Sequence, residues 1–475
     1  MSTDSSGLNN EVVIVGAGPA GLACAIMLAR SGFSSIRVLD KLSPPPTPDS
    51  SFYKDTPERN YNLGLSGRGQ PLLEKIDVLD VVKLYGKTVI GRVTWDKEGH
   101  ENINLTSLRK CKTICIQRDR LTAVLLAEAH KYNSISVMHN VEVSSIFWDD
   151  SRFPYVEYQS TVTKEKLETI KPSLLIGADG FNSIVASSLD ASSFSSCRLI
   201  RFKDKKPVLF KTLALQFDLD LRTDSWYRTF NGQLIHASEM NLSAVAQAGA
   251  DLTLEILPTK EGNGIGLILY KPDNQYINEA NTEDKVRRLL HENFPQFIPV
   301  MPERIYQQLS KQRDQKLPVF QVAKCSLHGP RTVLIGDAIH TVKPYFGMGV
   351  NSALEDIFIL GDCLKNYKGD ISSLDRTLAI YSKRHTKNAQ ALVRMSRSFD
   401  SGFFTFVLPI ILDSLSNKYL PRFFSPIGLR MFQLDNLEFH SMARIKRRDR
   451  ILQLLIILCC IALFLSASIG FISLV

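Results

Sequence analysis

The chain has 475 residues, of which 44% are hydrophobic and 22% charged. That length supports one large or two interleaved domains with real cores and excludes a lone small module, and the ordinary composition excludes widespread disorder. The net charge of +9 makes no case for a nucleic-acid partner, because much of it is concentrated in Arg444, Lys446, Arg447, Arg448 and Arg450, offset only by Asp449. The eight cysteines are scattered and imply no disulfide framework, and Cys111 and Cys115 lack the second pair that a zinc site needs.

Met1–Asn10 is polar and reads as no secretory signal. An apolar strand at Glu11–Val15 then runs into Gly16-Ala17-Gly18-Pro19-Ala20-Gly21, a helical pattern over Leu22–Arg30 and a second strand at Ile36–Leu39. This is a βαβ opening. Glycines at 16, 18 and 21 permit a tight turn, and the helix N-terminus behind them offers N–H groups to a pyrophosphate. Asp40, followed by Lys41, closes the second strand where a carboxylate can accept hydrogen bonds from ribose hydroxyls.

Further along, the prolines of Ser43–Ser51 predict a loop that interrupts the domain. Leu72, Leu73, Ile76, Leu79 and Val82 recur at helical spacing, which puts Arg68 and Gly69 at a helix start. From about residue 199 to 270 short alternating stretches, such as Val208–Phe217 and Leu252–Leu257, predict a mostly antiparallel sheet. Asp284–Asn293 reads as a helix, and Thr332–Ile335 as a buried strand leading into Gly336-Asp337. Phe403–Leu412 is apolar but short and interrupted by Pro409, a segment for a membrane surface rather than a span. Ile451–Val475 is 25 residues without a charge, about 37 Å as a helix and long enough to cross a bilayer. The basic flank before it predicts a tail anchor with the large N-terminal part in the cytosol.

Two downstream motifs carry a resemblance. Gly177-Ala178-Asp179-Gly180-Phe181-Asn182-Ser183 resembles the DG motif of flavoprotein monooxygenases built like para-hydroxybenzoate hydroxylase. Gly336, Asp337, Ala338, His340, Pro344, Gly347, Gly349 and Asn351 match their pattern GDAAHxxxPxxGQGxN. The resemblance implies a bound FAD. Asp337 then contacts its ribityl region, and Arg118 lies near its phosphates, a surface ion pair being the alternative for Arg118. The turn Gly347, Met348, Gly349, Val350, Asn351 opens a helix toward the flavin pyrimidine edge. His340 is expected to be structural or close to the cofactor rather than a catalytic base.

The stretch from Arg59 through Arg68 to Gly69 is similar to RSINLALSxRG of kynurenine 3-monooxygenases, and Phe294–Pro299 to another of their segments. That similarity implies cofactor contact at Arg59 and places Arg68 and Asn351 on the substrate side, with the Arg68 guanidinium suited to a carboxylate. Departures are Met348 for the usual Gln, Ala186 for the usual Arg, and Tyr85 and Phe399 near, but not at, the places of two substrate-side tyrosines.

The expected fold is α/β, with a Rossmann-like FAD-binding domain, an interleaved and mostly antiparallel substrate domain, and a C-terminal transmembrane helix. FAD binding is expected from 8–75, 105–190 and 315–400, substrate binding from 76–104 and 191–314, a membrane-proximal helical region from 401–450 and the anchor from 451–475. The resemblance implies that NAD(P)H reduces FAD as a transient co-substrate and that dioxygen then forms a flavin hydroperoxide, which hydroxylates a small aromatic carboxylate such as kynurenine. A membrane-associated flavin epoxidase or hydroxylase of an apolar substrate, and a tethered flavoprotein that no longer oxygenates, stay open as alternatives. The lipid bilayer is the other expected partner. The mitochondrial outer membrane is favoured by the resemblance, and the endoplasmic reticulum also accepts such tails.

Overall fold

The computed structural model describes residues 11–55, 61–105, 111–215, 226–228, 234–236, 242–248, 251–344, 347–365, 367, 371–432, 434–435 and 437–472. Arg59 lies outside them. The chain forms two compact units, Met1–Thr386 and Lys387–Val475.

The first unit is organised by a six-stranded sheet ordered His328–Gly329, Thr332–Leu334, Leu174–Gly177, Val12–Val15, Ile36–Leu39 and Ile135–Met138. All neighbours run parallel except the first pair. Val12–Val15 and Leu174–Gly177 are buried along their whole length, as their unbroken apolar sequence requires of a strand covered on both faces. Register pairs Val13 with Leu175 and Leu175 with Thr332. The glycine turn, the DG motif and the GD motif therefore leave the carboxyl ends of three adjacent strands. In open α/β sheets that edge is where ligands bind.

A seven-stranded sheet follows the order Gln315–Lys316, Leu209–Leu215, Gly264–Tyr270, Thr253–Pro258, Leu242–Gln247, Gly91–Trp95 and Glu101–Leu105. It is antiparallel apart from the pairing of Leu242–Gln247 with Gly91–Trp95. Its strands alternate buried and partly buried positions, as at Thr253–Pro258, which is the pattern of a sheet with one core face. Leu213, Leu254 and Ile268 share that core with Val286, Leu290, Phe294 and Ile305, which come from the helices Glu283–Asn293 and Arg304–Lys311 and the turn between them. Trp95 meets Phe297 edge-on with ring centroids 5.3 Å apart, an arrangement that adds about 0.5–1.5 kcal/mol beyond area burial.

Two local expectations change. The first helix begins at Pro19, directly after Gly18, so the glycine turn is shorter than expected. The pattern over 66–82 is two helices, Gln70–Lys75 and Leu79–Tyr85, broken at Asp77, whose φ of 58° a continuous helix cannot contain. The proline-rich loop is tied down: Tyr53 donates to the Pro46 carbonyl at 2.9 Å, Arg120 to that of Pro48 at 3.0 Å, and Tyr85 to Asp49 at 2.9 Å.

Arg120 also meets Glu261 at 2.5 Å, with both side chains largely buried. This pair joins the first turn of Arg118–Ala129 to the hairpin between Thr253–Pro258 and Gly264–Tyr270. Removing one member leaves an uncompensated buried charge, which costs about 3–5 kcal/mol. Glu261→Ala is therefore expected to lower stability in urea denaturation by roughly that amount, against less than about 1 kcal/mol for Glu128→Ala at the half-exposed Lys131 pair.

In the second unit the helix Leu408–Tyr419 follows a π-helical turn at Phe403–Val407. One helix, Phe439–Ile472, then continues for 34 residues. The basic segment and the apolar run thus share a single helix that starts before residue 451. Among the described residues it is the one helix long and apolar enough to cross a membrane.

Candidate active site

Gly16 takes φ of 105°, and a methyl group there would lie 2.4 Å from the Ala178 carbonyl oxygen. A methyl on Gly21 would lie 1.8 Å from the oxygen of Gly16. Both glycines exist for backbone approach, the first between neighbouring strand ends and the second between helix and turn. Gly18 differs, because a methyl there meets nothing within 4 Å. It faces open space at the start of Pro19–Arg30, whose N-terminus no side chain caps. Ala20 stands in this first turn, and its methyl lies 3.4 Å from where one on Gly336 would be.

Asp40 turns back to this loop. Its carboxylate accepts from the Ala17 N–H at 2.6 Å and the Leu42 N–H at 2.7 Å, while Lys41 is exposed on the turn. Asp179 accepts from the Ile184 N–H at 2.7 Å and so caps Ile184–Ala191 together with Ser183, which accepts from Ala186 at 2.9 Å. Burial pushes the Asp179 carboxyl above the ordinary range, and its other oxygen is buried without a hydrogen-bond partner. Ala186 is fully buried in that helix, a place with no room for the arginine that the DG motif usually carries.

The GD turn is held from below. Gly336, at φ of 63°, donates its N–H to Asp356 at 2.8 Å. The same carboxylate meets His340 at 3.0 Å and His385 at 2.5 Å, all three side chains being buried. Burial alone would raise the Asp356 pKa, but the facing His340 and His385 hold it down to about 2. Burial works against charge on His340, yet Asp356 and then Asp337 raise its pKa. His340 therefore supports the turn, and Asp356 and His385 complete a cluster that sequence reasoning did not find. Asp337 itself is raised by burial, with His340 and Arg118 pulling the other way. Arg118 opens its helix half-exposed, pairs with Asp119 at 3.0 Å and donates its backbone N–H to the Tyr61 carbonyl at 3.0 Å.

Gly347, at φ of 62°, stands before the helix Met348–Leu364, whose N-terminus also lacks a side-chain cap. Gly349 faces open space. Val350 is partly buried and Pro344 exposed, whereas Met348 is buried. Asn351 is a tie: its oxygen accepts from Ser66 N–H at 2.8 Å, and its amide donates to the carbonyls of Gly64 at 2.8 Å and Gly347 at 2.6 Å. Both amide hydrogens thus go to backbone, fastening the Asn62–Leu65 strand end to the helix start. Arg68 follows that strand with its side chain 1% exposed and meets Glu355 at 3.1 Å. Burial raises the Glu355 carboxyl, with Arg68 opposing. Tyr85 is occupied with Asp49, and Phe399, in the second unit, packs on Phe406 and Phe432.

These features fit an FAD. Two uncapped helix N-termini, open space at Gly18 and Gly349, and an orphaned carboxyl oxygen on Asp179 surround one edge of the sheet. Gly18→Ala is expected to leave the stability of the flavin-free protein unchanged and to lower the flavin-to-protein absorbance ratio severalfold, because the methyl enters only the ligand's space. Gly21→Ala is expected to lower both. A second expectation concerns acid. A carboxyl held at about 2 contributes stability that is complete above its unfolded value of about 3.9 and is lost as pH falls between the two. Asp356→Asn should flatten the fall of unfolding free energy over that window relative to the parent, measured by urea denaturation at stepped pH. Equal slopes would place the acid sensitivity elsewhere.

Comparison with known proteins agrees with this geometry. The family model described as FAD binding domain matches residues 9–396. Kynurenine 3-monooxygenase of Salinispora tropica is 24% identical, over 93% of this chain and 92% of its own length. The protein of the same name from Saccharomyces cerevisiae is 23% identical over 94% and 95%. Among solved structures, the tetrameric form of 2-methyl-3-hydroxypyridine-5-carboxylic acid oxygenase superposes with a TM-score of 0.62 at 18% identity, over 82% of this chain and 90% of that one. The chain belongs to the FAD-binding-domain family and has the fold of FAD-dependent hydroxylases.

Proposed function

We propose that this FAD-dependent monooxygenase hydroxylates an aromatic ring whose side chain carries both an amino and a carboxylate group, with kynurenine as the representative substrate. The observation that carries the reading is the Arg68–Glu355 pair, buried against the helix that starts at the candidate flavin site. A zwitterionic amino acid re-pairs both charges at once, its carboxylate with Arg68 and its ammonium with Glu355. A substrate with only one charge leaves the other residue uncompensated in a buried place. The name shared by the relatives reported above supports the same class.

Bound FAD supplies the redox chemistry, accepting a hydride equivalent and activating dioxygen. NAD(P)H is the donor in this reading and binds transiently. Gly16, Gly18, Pro19, Ala20, Gly21, Asp179 and Arg118 would hold the pyrophosphate side, Asp40 and Lys41 the adenosine ribose, and Gly336 and Asp337 the ribityl chain. The Gly347–Asn351 turn would present helix N–H groups to the ring, where a positive helix end stabilises the charge of the reduced state. We assign FAD binding to 8–75, 105–190 and 315–400 and substrate binding to 76–104 and 191–314. Phe439–Ile472 tethers the enzyme to a membrane.

The test uses the full-length protein in detergent: nicotinamide oxidation and product mass with kynurenine, its decarboxylated analogue and its deaminated analogue. Kynurenine should give a product heavier by one oxygen atom, with both analogues poorer. Loss of one charge-assisted hydrogen bond corresponds to about 1.5–3 kcal/mol, so Arg68→Ala should raise KM for kynurenine about 10- to 100-fold with flavin content preserved. Glu355→Gln should raise KM for kynurenine but not for the deaminated acid. A flavoprotein that oxidises NAD(P)H equally with all three, or prefers an uncharged aromatic, supports instead an enzyme of apolar substrates, for which the self-neutralised Arg68–Glu355 pair is only structural.

A further inference from the structure

The helix Leu408–Tyr419 is inside out. Its one buried side chain is Asp413, at 3% exposure, whereas Val407, Ile411, Leu415 and Tyr419, spaced four apart on one face, are 39%, 43%, 49% and 70% exposed. In a water-soluble helix the apolar stripe turns inward. Here the most deeply buried side chain is a carboxylate, flanked by the half-buried Ile410 and Ser416, and its charge is satisfied within the same unit. Asp413 takes Arg450 at 2.7 Å and Lys446 at 3.0 Å, Arg450 also donates to the Pro409 carbonyl at 3.0 Å, and Gln453 donates to Ser416 at 3.0 Å. These contacts bind the helix alongside the first turns of the long apolar helix. Gln453, at 4% exposure, already lies within the uncharged run.

We propose that Leu408–Tyr419 is a second membrane-contacting element, lying in the lipid interface with its Ile411–Leu415–Tyr419 face in the acyl region. The inference rests on the reading of Phe439–Ile472 as a membrane anchor. Two observations choose lipid as the occupant. The stripe continues through exposed Leu420 and Phe423 and adjoins, across the Ser416–Gln453 bond, the exposed apolar surface that begins at Ile451 and Leu454. Exposed Lys418, Arg422, Arg444 and Arg447 of the same unit supply cations for headgroup phosphates. Lys446 and Arg450 are engaged with Asp413, so this part of the basic segment is first a clamp between the two helices and only secondarily a lipid-facing cluster.

The experiment reconstitutes the full-length protein into phosphatidylcholine vesicles containing a lipid with a photoactivatable acyl chain, and maps adducts by peptide mass spectrometry. Adducts are expected in 407–424 as well as in 451–472. In the variant Leu415→Glu, Tyr419→Glu those in 407–424 should fall to background while those in 451–472 persist. Adducts confined to 451–472 in the parent protein overturn the proposal and leave the anchor standing. Adducts in neither segment remove the anchor reading and this inference with it. Labelling of 407–424 that is indifferent to the double substitution, or crosslinks of this face to a second copy of the chain, also overturns it.

Discussion

The first unit depends on how closely the ends of its central parallel strands approach. With Gly16 at φ of 105° and the Ala178 carbonyl where a side chain would otherwise be, the first and fourth chain segments of the sheet can deliver their loops to one place. Everything at the candidate site is arranged around that contact. The Gly336 turn arrives on the next strand, where a methyl group on Gly336 would lie 3.4 Å from Ala20 of the first helix and 3.3 Å from Ala353 of the Met348 helix. Gly18, Gly180 and Gly349 are site positions where a side chain would meet no protein neighbour. The sheet thus distinguishes glycines required by the fold from glycines that leave space for a ligand.

A second layer holds the turn from beneath. Asp356 accepts the Gly336 N–H and faces two imidazoles in a region closed to water. A carboxylate that accepts a backbone N–H and pairs with two imidazoles resists displacement, so the backbone above it is fixed independently of any ligand. Asn351 performs the same service with neutral groups, joining segments 285 positions apart in sequence. Rigid support beneath a site is what allows its donors to be aimed before the reacting groups arrive.

Much of this was legible in the sequence. The opening βαβ unit, the glycine spacing and the strand before Gly336 are local patterns, and the turn that follows each strand is set by adjacent residues. The mostly antiparallel character of the second sheet was also readable from its alternation. What was hidden depends on partners distant in sequence. Nothing near Arg68 announces Glu355, nothing near Arg120 announces Glu261, and the role of His385 becomes visible only when its helix brings it to Asp356. The same holds in the second unit, where nothing near Asp413 announces Lys446 and Arg450.

The order of strands in the parallel sheet also governs how the polypeptide can acquire it. Val12–Val15 pairs with Ile36–Leu39 on one edge and with Leu174–Gly177 on the other, and Thr332–Leu334 closes the far side. During synthesis the first edge is satisfied early, and the second waits for some 160 further residues. Until then a strand of four buried apolar residues offers an unpaired edge to any neighbour. Loop closure over such distances is slow, and exposed edges of this kind are where nascent chains associate. The topology that gathers three loops at one site thus makes the newborn chain dependent on protection of that edge until the later strands are synthesised.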